Sequence, residues 1–191
     1  MPFQTHIYRL YPDNISDKVV FFLIDGLGQE HLYNFCRDRD DLEKIQEIGV
    51  SSSLNCQFPS TTASNMTTIH TSQEVAEHGI FDWQYYEPMV DDIITPLPFS
   101  FARDKKGETL KNKVNPTDIY PKETFYRKLA EYGIKSRVFQ RSKYSESTYS
   151  RSMLKGADIS GYDSLDSGLR DLAECIKNDE GKHYYLLLRP Y

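Results

Sequence analysis

Two short stretches of this chain carry side chains that can do chemistry together. Asp25 closes the apolar run Lys18-Val19-Val20-Phe21-Phe22-Leu23-Ile24 and is followed by Gly26-Leu27-Gly28. Ser60, Thr61 and Thr62 follow Phe58-Pro59 and stand just before a helix-like segment from Ala63 to Ser72. A carboxylate can ligate a divalent cation. A hydroxyl at a helix start can be activated as a nucleophile, or can sit beside a phosphate held on the free N–H groups of the first turn.

An apolar run of this length that ends in Asp-Gly reads as a strand buried on both faces of a parallel sheet. Its carboxylate then lies at the carboxyl edge of the sheet, where open α/β sheets bind ligands. Two plainer readings stand beside this one. Asp25 can cap the helix that follows, up to Cys36. Gly26 and Gly28 also match the first two glycines of a dinucleotide fingerprint, but His31 occupies the third position, which makes that match weak. The hydroxyl cluster likewise reads as an ordinary N-cap with hydroxyls to spare, and the residues alone do not separate Thr61 from Thr62.

Three motifs in order, Ile24-Asp25-Gly26, Phe58-Pro59-Ser60-Thr61-Thr62 and Ala76-Glu77-His78-Gly79-Ile80, resemble the alkaline phosphatase superfamily. Within it the resemblance is to the type I phosphodiesterase/nucleotide pyrophosphatase family. It implies a metal-dependent phosphoester hydrolase acting on small-molecule substrates, phosphodiesters foremost, with two zinc-like divalent ions. Asp25 would be a metal ligand, and Thr62 would be the catalytic nucleophile coordinated to the same metal ion. The activated hydroxyl would attack phosphorus in line to give a phosphothreonine, which water then hydrolyses. No nucleotide-type cofactor site is implied. His78 reads as an architectural residue of the turn after the nucleophile helix.

Two departures from the family pattern bear on function. Pyrophosphatases of this kind place an Asn shortly after the His-Gly-Ile turn, where it binds a phosphoryl oxygen, whereas this chain has Trp83, whose indole offers one donor and no acceptor. The family's remaining ligands follow the strand that here runs from His183 to Tyr191. One ligand and a nucleophile fall short of the three protein ligands of a catalytic zinc site. The expectation is a single alkaline-phosphatase-like domain over residues 1–191, incomplete at its C-terminus and inactive by itself. A non-catalytic α/β phosphate- or nucleotide-binding module is the alternative.

Composition fits a globular chain: 191 residues, 39% hydrophobic and 27% charged. A net charge of −5 argues against a surface that coats nucleic acid. The positives Arg103, Lys105, Lys106, Lys111 and Lys113 are interrupted by Asp104 and Glu108 and read as a solvated loop. Cys36, Cys56 and Cys175 are far apart, which disfavours disulfides and structural zinc, and Cys56 lacks the sulfatase pattern Cys-x-Pro-x-Arg. No segment reaches membrane-span length and no signal peptide is recognisable, so a cytoplasmic location is the default.

Strand-like and helix-like segments alternate along the chain, which predicts a doubly wound, mostly parallel α/β sheet with helices on both faces. Expected helices lie at 29–36, 41–48, 63–72, 124–132 and 164–177, and expected strands at 18–24, 50–54, 135–140 and 184–188. Residues from about 81 to 121 are rich in aromatics and prolines without a sustained period, and read as a substrate-facing excursion or cap. Its aromatics Trp83, Tyr85, Tyr86, Phe99 and Phe101 either wall a leaving-group pocket or pack the excursion onto the sheet. The hydroxyl-rich stretch Ser142 to Ser150 reads as a surface connection near the site.

Overall fold

The structure is a computed structural model and describes residues 16–36 and 52–190. Its elements in chain order are β1 (Lys18–Ile24), α1 (Gln29–Cys36), α2 (Thr62–Thr71), α3 (Val75–His78), β2 (Tyr85–Glu87), β3 (Asp92–Thr95) and β4 (Ser100–Phe101). There follow α4 (Pro116–Ile119), α5 (Phe125–Glu131), β5 (Lys135–Arg141), α6 (Ser142–Ser145), α7 (Thr148–Met153), β6 (Ala157–Tyr162), α8 (Leu165–Asn178) and β7 (His183–Arg189). The expected helix 41–48 and the first two residues of the expected strand 50–54 lie outside the described residues. Ser52, Ser53 and Leu54 are in irregular backbone, not in a strand.

The main sheet has the order β1-β7-β5-β6, and every pairing in it is parallel. Alternation along its central strand shows how two layers of helix cover it. Tyr184, Leu186 and Leu188 of β7 join Val138, Tyr126 and Met66 on the face covered by α2 and α5. Tyr185 and Leu187 join Phe139, Tyr162 and Leu172 on the face covered by α8. A parallel strand apolar on both sides has to be covered on both sides, and the doubly wound α/β architecture follows.

Local signals set the helix ends. Ser164 caps α8 with its side chain on the Ser167 N–H, and Thr124 caps α5 through the Arg127 N–H. Gly133, at φ +71°, supplies the left-handed residue just after α5. Gly168 lets α8 approach β6 closely, since a Cβ there would come within 2.7 Å of the Tyr162 ring.

Two expectations are corrected. β1 is not buried on both faces: Val19 is 50% and Phe22 53% exposed, and among the described residues β1 pairs only with β7. Within the excursion β2, β3 and β4 form an antiparallel sheet, whose short strands leave no sustained period in the sequence. That sheet rests on a core in which Tyr85, Phe99 and Phe101 pack with Ile94, Leu110 and Tyr120 and with Ala63 of α2 and Tyr149 and Met153 of α7. Finally, Ser142 to Ser150 forms α6 and the start of α7 instead of a surface loop, with Thr148, Tyr149 and Ser150 buried.

Candidate active site

Asp25 and Thr62 reach the same place from different elements. Asp25 is the first residue past β1, and its N–H donates to the Arg189 carbonyl at 3.0 Å, which fixes it at the carboxyl edge beside the end of β7. Thr62 is the first residue of α2, the helix that packs on the sheet through Met66 and Ile69. The Thr62 hydroxyl lies 3.5 Å from Asp25 Oδ1 and 3.4 Å from Oδ2. These separations exceed the ~2.5–3.0 Å of a well-made O–H···O bond. They suit two oxygens that share one ion at about 2.0–2.2 Å from each.

The cap of α2 separates the two threonines. Thr61 is the N-cap, and its side chain accepts from the Ser64 N–H while the Ser64 hydroxyl accepts from the Thr61 N–H. Asn65 holds the approaching loop, accepting from the Gln57 N–H at 3.0 Å and donating to the Thr61 carbonyl at 2.9 Å. Thr61 is thereby committed to the helix end, and Thr62 one residue on is left to face Asp25. Its hydroxyl sits at the positive end of the helix dipole, where developing negative charge is favoured.

The pair opens onto a cavity of about 500 Å³. One wall comes from the excursion, with Trp83, Leu97, Pro98, Gly107 and Glu108. Buried polar groups form part of the lining: Gln140 Nε2 donates to Ser150 Oγ at 3.1 Å, and Tyr149 and His70 contribute their rings. Burial drives the His70 pKa down to about 3, so this ring is neutral at physiological pH. Of the five excursion aromatics, Trp83 alone lines this cavity. A second, smaller hollow is lined by Asp25, Arg189 and His31, a histidine whose only sequence signal was the interruption of a glycine pattern.

His78 is buried, and its ring makes one contact within the turn and one back to α2. The Ile80 N–H donates to Nδ1 at 3.0 Å, and Nε2 lies 3.0 Å from the Thr68 hydroxyl. Because a backbone amide can only donate, Nδ1 is the bare nitrogen and Nε2 carries the proton toward Thr68. Burial lowers the His78 pKa, and His78 lines neither hollow that holds Asp25.

Among the described residues no group of three or more His, Cys, Asp or Glu is arranged to hold a metal ion. The Asp25 carboxylate and Thr62 hydroxyl therefore fit as two donors of a site, not as a complete set. The family model for type I phosphodiesterase / nucleotide pyrophosphatase matches residues 19–170. The chain belongs to that family. A search of curated proteins finds none that matches. Family membership makes this a chain of the phosphodiesterase/pyrophosphatase hydrolases, and the matched span contains both Asp25 and Thr62. Among the described residues no helix is long and apolar enough to cross a membrane.

Proposed function

We propose that this family member is a metal-dependent phosphoester hydrolase in which Thr62 is the nucleophile and Asp25 a metal ligand. The observation that carries the reading is the Thr62 hydroxyl facing both Asp25 oxygens, at 3.5 and 3.4 Å, at the mouth of the cavity. A divalent ion bound there, zinc for preference, would lower the hydroxyl pKa and offset charge on the phosphoryl oxygens. The Thr62 oxygen attacks phosphorus, the P–O bond to the leaving group breaks, and the proton lost by the Thr62 hydroxyl ends on the leaving alkoxide. Water then cleaves the phosphothreonine and returns the hydroxyl. The α2 dipole favours the charge that builds on the phosphoryl oxygens, and Asp25 orients the nucleophile.

The shortage of donors favours a second reading, a phosphate-binding module without turnover. Two experiments separate the readings. Zinc titration should show binding that falls at least tenfold in Asp25→Asn, and mass spectrometry after exposure to a nitrophenyl phosphodiester should find a phosphoryl adduct on Thr62 that is absent from Thr62→Ala. Because two donors fall short of three, the adduct should form slowly and persist, and turnover by the 191-residue chain should be near background. Zinc affinity indifferent to Asp25, with no adduct, would select the binding module.

A further inference from the structure

Thr62, Met66 and His70 are spaced four apart on α2, and all of them line the cavity. Residues at i, i+4 and i+8 form one ridge along a helix. The phosphoryl chemistry uses the first of them and has no role for the last. His70 is 1% exposed, and its Nδ1 lies 2.8 Å from the Tyr126 hydroxyl. Nε2 has no hydrogen-bond partner among the described residues. The tautomer follows from Tyr126, whose buried hydroxyl has no other acceptor among the described residues. A proton on Nδ1 would leave that O–H with nothing to donate to, which is the costly arrangement. Tyr126 therefore donates to Nδ1, and the ring proton sits on Nε2. Tyr126 does not line the cavity, so Nε2–H is the polar group that the His70 ring offers to it.

The cavity is charged at its rim and neutral in its depth. Arg141, Lys143 and Arg189 are exposed, whereas the buried lining residues His70, Gln140, Tyr149, Ser150 and Leu188 carry no charge. Gln140 and Ser150 bond each other, and the Tyr149 hydroxyl lies 3.0 Å from that of Thr67. Leu23 and Leu188, opposite each other in the β1–β7 pairing, line the cavity together with Met66. A charged group placed against these residues would lose its water without gaining a counter-ion. An uncharged group that carries an acceptor would satisfy the orphan donor of His70. The helix also sets the size of that group. Eight residues at about 1.5 Å each put His70 roughly 12 Å along the axis from Thr62. Allowing about 3 Å for a reacting contact and about 3 Å for a hydrogen bond leaves roughly 6 Å, the length of one para-substituted ring.

We infer that His70 is the specificity-determining residue of a neutral subsite, which takes an uncharged, ring-sized group bearing a carbonyl or hydroxyl oxygen at its far end. That this group is the alcohol part of a phosphoester rests on Thr62 being the nucleophile, but the subsite itself needs neither metal nor nucleophile. The probes are 4-acetamidophenol, which ends in a carbonyl acceptor, and 4-isobutylphenol, a hydrocarbon of the same shape without one. Both are titrated into the 191-residue chain in excess chelator. In 15N-histidine spectra of the unsubstituted chain, the His70 Nε2–H signal should move with 4-acetamidophenol and stay in place with 4-isobutylphenol. His70→Asn keeps a polar group near the position of Nδ1, for Tyr126, and removes Nε2. It should weaken 4-acetamidophenol roughly fivefold, as loss of one neutral hydrogen bond requires, and leave 4-isobutylphenol unchanged. A merely structural His70 would weaken both probes alike, and that result overturns the proposal. So does a His70 Nε2–H signal indifferent to 4-acetamidophenol. Selective binding of 4-acetamidophenol by a chain that forms no Thr62 adduct and binds zinc without regard to Asp25 would establish the subsite and sink the hydrolase reading.

Discussion

The ring of His70 and the hydroxyl of Tyr126 share a hydrogen bond of 2.8 Å, with both side chains wholly buried between α2 and α5. Burial holds the ring neutral by bringing its pKa down to about 3. In the unfolded chain the ring takes a proton near its ordinary value of about 6.5, so below that pH the unfolded state binds more protons than the folded one. Stability is therefore complete above pH ~6.5 and is lost progressively as pH falls toward 3. Each tenfold in proton affinity is about 1.4 kcal/mol, so a loss of a few kcal/mol is expected. Urea denaturation at stepped pH should show this slope, and His70→Gln should flatten it. An unchanged slope in the variant would rule His70 out as its source.

His78 gives a second pH-linked residue with a different consequence. Its two ring contacts, to Ile80 and Thr68, tie α3 and the turn after it to α2. Replacement by Ala leaves the Ile80 amide without its acceptor, at a cost of roughly 1–3 kcal/mol. Zinc affinity should stay as in the parent chain, because His78 is outside both hollows that contain Asp25. Thermal melts and zinc titration together decide the matter. A fall in zinc affinity with an unchanged melt would make His78 a ligand.

Much of this arrangement was legible in the sequence where pattern and punctuation agreed. β5, β7, α5 and α8 fall within a residue of expectation, the strands because each is a short run with an apolar centre and the helices because Thr124 and Ser164 cap them. β1 was correctly placed, yet its burial was misread, since an apolar run states what gains from being covered and not where the strand sits in a sheet. β6, Ala157-Asp158-Ile159-Ser160-Gly161-Tyr162, was missed because Asp, Ser and Gly disfavour strands in isolation and parallel pairing with β5 overrides that preference. Asp25 and Thr62 were identified as a pair before any geometry. Thr62 was preferred to Thr61 on the family resemblance alone; that Thr61 is committed to the cap needed the structure, and that Arg141 and Arg189 end neighbouring strands needed the strand order, which no local pattern encodes.

Glu108 joins the excursion to the main domain. It sits at φ +68°, a conformation side chains seldom adopt, and its carboxylate accepts both the Thr148 N–H, at 2.8 Å, and the Thr148 hydroxyl at the start of α7. Burial would raise its pKa, but the Thr148 donors and Lys111 outweigh it and hold the pKa below the usual carboxylate value. The stabilisation is thus present above the unfolded value of about 4.3 and is lost as pH falls below it. Glu108→Ala should cost about 1–2 kcal/mol, discounted for its partial exposure. It should also speed tryptic cleavage at Arg103, Lys105 and Lys106 severalfold at neutral pH. Cleavage rates equal to those of the parent would mean that the core around Phe99 and Tyr120 holds the excursion unaided.

The adjacent threonines allow the sharpest separation of fold from chemistry. Thr61 spends its hydroxyl on the Ser64 N–H, so Thr61→Ala should remove the cap and cost about 0.5–2 kcal/mol. Thr62 makes only long contacts to Asp25, at 3.4 and 3.5 Å, so Thr62→Ala removes no well-formed hydrogen bond. Alanine is also a better helix former than threonine, by a few tenths of a kcal/mol, so the Thr62→Ala melt should be unchanged or slightly raised. If Thr62 is the nucleophile, zinc affinity and the phosphoryl adduct should both suffer in Thr62→Ala and persist in Thr61→Ala once the latter is measured well below its melting temperature. The two variants then fall on opposite axes, one losing stability and keeping chemistry, the other the reverse. An adduct that survives in Thr62→Ala and disappears in Thr61→Ala would move the nucleophile one residue back and leave α2 to be capped some other way.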